Sequence, residues 1–134
     1  MAAEGLTTIP SIYEPKETMD RLEAALKARG LTIFARIDHA AVAAEAGLPL
    51  RPTELVIFGN AKGGTRLMQA DQTAGIDLPL KTLVWQDASG KAWLSYNDPA
   101  WIAERHGLGK AVDATVAAMA GLLDGAAKSA TASG

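Results

Sequence analysis

Asp38 and His39 form the clearest chemical pair in the sequence. They follow a predicted strand and begin a predicted short helix, a place where side chains often face clefts. A histidine can titrate near neutral pH and serve as acid, base or ligand, and a nearby carboxylate can orient such a group. In the structural alternative, Asp38 caps the helix and His39 is solvated. Because adjacent residues rarely face each other, each is expected to pair elsewhere.

A polar, glycine-containing segment supplies a second set of candidates. It follows a predicted buried strand, and its ligand-binding candidates are Asn60, Lys62, Thr65, Arg66 and Met68. Backbone amides in such a segment can cradle an anion, and Lys62 adds positive charge. A nucleotide-binding P-loop is not favoured, because the lysine precedes the glycines instead of following them. The structural alternative is a flexible turn.

Tyr96 and Asp98 follow at the end of the last predicted strand. Tyr96 can donate a hydrogen bond to a ligand or satisfy its hydroxyl locally. No metal site is predicted, because the histidines lack the usual ligand spacing. Haem ligation by His39, His106 or Met68 stays open, although the missing C-x-x-C-H motif excludes covalent attachment. The sequence therefore assigns no cofactor.

Composition excludes several function classes. The 134 residues contain no cysteine, and 13 Lys and Arg against 15 Asp and Glu give a formal charge of −2. Disulfides, thiol nucleophiles and thiolate metal sites are excluded. Scattered basic residues do not favour nucleic acid or an anionic membrane as partner. Without an apolar run that spans a bilayer or a signal-like start, the expected location is cytoplasmic.

Hydrophobic periodicity and turn residues define the elements that must position these candidates. Strands are predicted at 6–13, 31–37, 53–58, 79–86 and 91–96, the last two as an antiparallel hairpin. Helices are predicted from Pro15 to the terminating Gly30, and at 39–46, 99–105 and 109–124, with a loop of at most one helical turn at 61–75. One domain is expected over 1–125, followed by a disordered tail at 126–134.

This order predicts an α+β fold with two layers. A mainly antiparallel sheet would carry the two longer helices on one face, in the order β-α-β-β-β-β-α, with short helices in the loops. If the other face exposes Phe34, Phe58, Trp85 or Trp93, it forms an apolar patch that a soluble monomer rarely tolerates. A homodimer through that face or through a sheet edge is therefore expected.

Several short blocks together resemble domain-of-unknown-function family 302, which is bacterial and archaeal. They are ARIDHAA at 35–41, RPTE at 51–54, FGN at 58–60, GTRLM at 64–68, DLPLK at 77–81 and YNDP at 96–99. The resemblance extends from about Gly5 to His106. It implies a compact α+β fold similar to the TATA-binding-protein architecture, usually dimeric, and it supplies no activity. It nominates Asp38, His39, Asn60, Thr65, Met68, Tyr96 and Asp98.

The sequence departs from the family pattern at two positions. Ala61 and Arg66 stand where prolines are usual. Because proline fixes φ, their loss is expected to make the segment more mobile, and Arg66 adds a charge beside the expected cleft.

Three functions follow from these residues. The first is a small homodimer that binds a small molecule in a cleft built from the Asp38-His39 strand end, the segment from Asn60 to Met68 and the turn from Tyr96 to Asp98. The second is a hydrolase, lyase or isomerase with His39 as general acid or base, supported by Asp38 or Asp98. The third is a protein-interaction dimer without a ligand.

Overall fold

A five-stranded antiparallel sheet in the order β1-β5-β4-β3-β2 forms the centre of the fold. The computed structural model describes residues 3–132. The strands are β1 (Leu6–Pro10), β2 (Thr32–Asp38), β3 (Thr53–Gly59), β4 (Leu80–Gln86) and β5 (Ala92–Asn97). The helices are α1 (Pro15–Ala28), α2 (His39–Glu45), α3 (Ala61–Ala70), α4 (Pro99–Arg105) and α5 (Asp113–Thr131). Two 3₁₀ segments occupy Gln72–Asp77 and Lys110–Val112.

One face of the sheet is covered by α1 and α5. Because successive strand residues point to opposite faces, Val56, Phe58, Val84 and Leu94 share the covered face, and all are at most 1% exposed. They pack with apolar residues of α1 and α5 in one core, which includes Met19, Leu22, Leu26, Leu123, Ala126 and Ala127. The predicted two-layer α+β fold is confirmed.

The opposite face carries apolar side chains that lie outside this core. Leu55, Ile57, Leu83, Trp85 and Trp93 alternate with the core residues and are each partly exposed. The rings of Trp85 and Trp93 stack with centroids 6.0 Å apart.

Two of the four aromatic residues considered for that face lie elsewhere. Phe58 is in the core, and Phe34, at an irregularity in the β2–β3 pairing, is 56% exposed beside Gly59.

The segment predicted as a loop at 61–75 is helical, which corrects that expectation. Asn60 caps α3 by accepting hydrogen bonds from the backbone N–H of Lys62 and Gly63 at 2.9 and 3.3 Å. Leu67 is fully buried in a second cluster with Val112 and Val116. Glycines in a helix cost about 1 kcal/mol each, so packing outweighs local propensity here.

The end of the chain also differs from the expectation. The helix predicted to end at Asp124 continues to Thr131, and Ala126, Ala127 and Ala130 are at most 2% exposed. Their small side chains bury against the core, so the tail predicted from Ala126 is ordered through this helix. The carbonyl of Thr131 accepts a hydrogen bond from the backbone N–H of Ile12 at 2.9 Å. Residues 133 and 134 of the predicted tail, and residues 1 and 2 at the other end, lie outside the described residues.

At the start of the fold, β1 ends at Pro10 rather than Tyr13. The chain turns at Ser11, whose hydroxyl lies 2.6 Å from that of Thr18 in α1. Within residues 3–132, none of the helices has both the length and the apolar character needed to cross a membrane.

Candidate functional site

A cleft of about 620 Å³ opens between α3, α5 and the end of the sheet where β3 stops and β4 begins. This volume is in the range of small-molecule sites in proteins. The α3 wall runs from Asn60 to Met68, and the α5 wall includes Ala118, Met119 and Leu122. At the sheet end, Leu31, Phe34, Gly59, Leu78, Pro79 and Leu80 line the cleft.

The position of α3 depends on close approach to α5. A Cβ atom on Gly63 would lie 3.0 Å from Cε of Met119 and 3.9 Å from Cγ2 of Thr115. Leu67, one turn further along α3, is buried against residues around the start of α5. Gly63 and Leu67 thus attach α3 to α5 on one side, and the cleft opens between these helices and the sheet.

The lining is apolar apart from α3. Every sheet-end residue in the lining is apolar or glycine, and α5 contributes alanines, Met119, Leu122 and one threonine. Among the described residues, the charge of the lining comes from Lys62 and Arg66, which are exposed and separated by about one helical turn. Neither forms a salt bridge with a described residue, and the lining contains no Asp or Glu.

Five of the predicted candidates are brought together in this cleft. They are Asn60, Lys62, Thr65, Arg66 and Met68. Asn60 has a second role, since its side-chain oxygen is used to cap α3.

Asp38 and His39 lie at the other end of the sheet. In the antiparallel β2–β3 pair, Thr32 is opposite Gly59 and Asp38 is opposite Glu54. The five steps along β3 from Glu54 to Gly59 separate the two ends by roughly 17 Å. Asp38 and His39 therefore do not join the expected common cleft, because β2 and β3 are antiparallel and their carboxyl ends lie at opposite ends of the sheet.

The contacts of Asp38 are those of a helix cap, the structural alternative given above for this residue. Its carboxylate accepts a hydrogen bond from the backbone N–H of Ala41 at 2.9 Å, as a helix cap does. Asp38 borders a second cleft with Arg36 and Glu54, which are paired at 2.9 Å. The hydrogen bond to Glu54 is the main cause that raises the pKa of Arg36 above its ordinary value. His39 is exposed at the start of α2.

Tyr96 and Asp98 also lie outside the cleft lining. Tyr96 is 8% exposed in the core, and burial is the main cause that raises its pKa, followed by the charges of Asp124 and Asp98. The Asp98 carboxylate accepts a hydrogen bond from the Thr7 hydroxyl instead of capping α4.

A cluster around Asp77 and His106 was not found from the sequence. Nε2 of His106 lies 2.6 Å from Oδ2 of Asp77, and Nδ1 lies 3.1 Å from Oγ1 of Thr73. Arg105 donates to the same carboxylate at 3.0 and 2.9 Å. No local motif marks these residues, because 29 positions separate His106 from Asp77. The cluster ties the 3₁₀ segment Gln72–Asp77 to the end of α4, outside the cleft lining.

The three residues considered for haem lie apart. Met68 lines the cleft, His106 is in the Asp77 cluster, and His39 is at the far end of the sheet. Within residues 3–132, no three His, Asp or Glu side chains form a group that could hold a metal ion.

Comparison with known proteins gives the relationships of the chain. The family described as Domain of unknown function DUF302 matches residues 7–126. A relative from Brucella suis biovar 1 named fluoride-specific ion channel FluC 1 is 52% identical over 115 residues, covering 86% of this chain and 45% of the relative. Fluoride-specific ion channel FluC 2 of Brucella melitensis biotype 1 is likewise 52% identical, with 43% of its length covered. The chain thus spans less than half the length of these curated relatives.

A solved structure has the same fold. The crystal structure of an uncharacterized conserved DUF302 protein from Bacillus stearothermophilus superposes with a TM-score of 0.84 over 96% of this chain and 99% of that one. At 21% sequence identity, the likeness establishes the fold alone.

Proposed function

Because the chain belongs to the family described as Domain of unknown function DUF302, whose name states no activity, we propose its function from geometry: it binds a small, mainly apolar molecule in the cleft between α3 and α5. The observation that carries this proposal is the convergence of Asn60, Lys62, Thr65, Arg66 and Met68 on one apolar cleft. Binding sites commonly combine an apolar lining with a few polar groups that orient the ligand.

The geometry supports binding more than catalysis. Among the described residues, the cleft lining contains no histidine, Asp or Glu, so it lacks the side chains that most often act as general acid or base. His39, proposed for that role in a hydrolase, lyase or isomerase, lies at the opposite end of the sheet. Ion conduction is not part of the proposal, since the chain spans less than half of the relatives named as channels.

Two neighbouring alanines of α5 provide a matched test. Ala118 lines the cleft and Ala117 does not, and both are exposed. The neutral fluorescent probe N-phenyl-1-naphthylamine is expected to bind the wild-type protein. Ala118→Trp should reduce that binding at least tenfold because the indole fills the cleft, whereas Ala117→Trp should leave it unchanged. Equal binding by both variants, or no binding to the wild-type protein, would contradict the proposal.

We also propose that the protein is a homodimer that buries the outer face of the sheet. Trp85 donates its indole N–H to Ser95 at 2.9 Å, and Trp93 donates to Asp87 at 2.8 Å. With these groups satisfied, the rings present apolar surface beside Leu83. A second copy offers the same surface, so a two-fold axis would bury both patches.

The oligomeric state tests this second proposal. Light scattering after size exclusion should give twice the chain mass of 13.9 kDa. Leu83→Lys should give a monomer, while Lys110→Glu, at an exposed position in a 3₁₀ segment that packs with α3 and α5, should stay dimeric. A monomeric wild-type protein would overturn the proposal.

The cytoplasmic location and the likeness to the TATA-binding-protein architecture stay predictions.

A further inference from the structure

The cleft has an uneven distribution of charge. The sheet end and α5 supply an uncharged, mainly apolar surface, and α3 supplies Lys62 and Arg66. We propose that the ligand is an apolar monocarboxylate, with its carboxylate on these two cations and its hydrocarbon part against residues such as Phe34, Pro79 and Leu122. The inference deepens the proposed function and rests on it.

The charges that line the cleft favour an anionic ligand. The whole chain carries a formal charge of −2, yet the cleft lining carries two positive and no negative side chains. Lys62 and Arg66 are four residues apart on α3, an arrangement in which like charges repel and destabilise a helix slightly. A bound carboxylate would relieve this repulsion, and arginine can bind it through two parallel hydrogen bonds.

The start of α3 favours a carboxylate over a phosphate. Phosphate sites commonly use free backbone N–H groups at a helix start. At the start of α3, the N–H groups of Lys62 and Gly63 already donate to the side chain of Asn60. Two single charges beside an extensive apolar lining match one carboxylate on a hydrocarbon group better than a polyanion.

Calorimetry with four probes tests the ligand class. Decanoate and 1-naphthoate carry the same carboxylate on an aliphatic and an aromatic group, decanol lacks the charge, and acetate lacks the apolar part. Decanoate, 1-naphthoate or both should bind at least tenfold more tightly than decanol and acetate, and the stronger of the two acids identifies the apolar group. Equal binding of decanol and both acids would overturn the inference.

Charge-removing variants locate the interaction. The double variant Lys62→Gln/Arg66→Gln should weaken binding of the preferred acid at least tenfold and binding of decanol by a much smaller factor. Lys110→Gln/Lys128→Gln removes the same charge from exposed positions outside the lining and should have no effect. An equal loss in both double variants would overturn the inference, since it would indicate a general charge effect.

A salt series and a neutral probe keep the two proposals separable. In the wild-type protein, raising sodium chloride from low to high concentration should weaken acid binding and spare decanol. If N-phenyl-1-naphthylamine binds in the cleft but the acids have no advantage over decanol, the ligand class is wrong and the binding function stands. If Ala118→Trp does not weaken binding of N-phenyl-1-naphthylamine, the cleft itself is not the binding site.

Discussion

His106 and Asp77 form a close side-chain pair, with Nε2 and Oδ2 2.6 Å apart and both side chains mostly buried. The pair joins α4 to the 3₁₀ segment Gln72–Asp77. Gly75 of that segment packs under Met68, since a Cβ atom there would lie 3.2 Å from its sulfur. Met68 lines the cleft, so the pair supports the cleft wall from behind.

Removing the charge of Asp77 should therefore destabilise the fold. Asp77→Asn weakens the hydrogen bonds from His106 and Arg105 and should lower the free energy of unfolding by about 1–3 kcal/mol. Urea denaturation measures this change. Glu104→Gln, at an exposed neighbouring position, should stay within about 0.5 kcal/mol of the wild-type protein. Similar values for the two variants would show that the pair adds no stability.

Proline substitutions at two positions should separate the start of α3 from its interior. Ala61 is the first residue of α3, and Asn60 before it has an extended backbone, so Ala61→Pro should be tolerated. Gln69→Pro, within α3, removes a helical N–H and clashes with the preceding turn, and should cost about 3 kcal/mol. Thermal unfolding followed by circular dichroism measures both. Equal melting temperatures for the two variants would contradict a continuous α3.

The adjacent glycines of α3 should respond differently to alanine. A Cβ atom on Gly64 meets nothing within 4 Å, so Gly64→Ala should stabilise the protein by about 1 kcal/mol through helix propensity. On Gly63 the Cβ atom would lie 3.0 Å from Cε of Met119, so part or all of this gain should be lost. Urea denaturation of both variants checks the order. A larger gain at Gly63 would contradict the packing of α3 on α5.

Asp87 should make stability depend on acid pH. The indole N–H of Trp93 is the main cause that holds its pKa below the ordinary value of 3.8, followed by the hydroxyl of Ser89 and the backbone N–H of Lys91. Because the folded pKa is the lower one, the unfolded chain takes up the proton first as pH falls. The stabilisation is complete well above pH 3.8 and disappears as pH falls through the folded pKa.

Melting temperatures between pH 6 and pH 2 test this linkage. Asp87→Asn should melt below the wild-type protein at pH 6, and the difference should shrink toward pH 2. Glu104→Gln serves as the control and should follow the wild-type curve. A constant difference between Asp87→Asn and wild type at every pH would contradict the linkage.

Local sequence patterns were sufficient for most of the fold. The periodicity of α1, the alternation in β2 and the turn residues between β4 and β5 each depend on residues close together in the sequence, and the structure contains all three. The local pattern did not predict α3, because Gly63 and Gly64 lower its helix propensity. The packing of Leu67 compensates for this loss in the folded protein. The local pattern was also insufficient after Ala126, where small residues that resemble a tail bury against the core.

The sequence and the tertiary structure each determined part of the candidate site. Residue types and spacing nominated Asn60, Lys62 and Arg66, which one helix carries into the cleft. Only the tertiary structure separated Asp38 from them, because the antiparallel register of β2 and β3 sets which strand ends meet. Only the tertiary structure shows that Asp77 pairs with His106, since contacts between distant positions depend on packing and leave no periodic signal in the sequence.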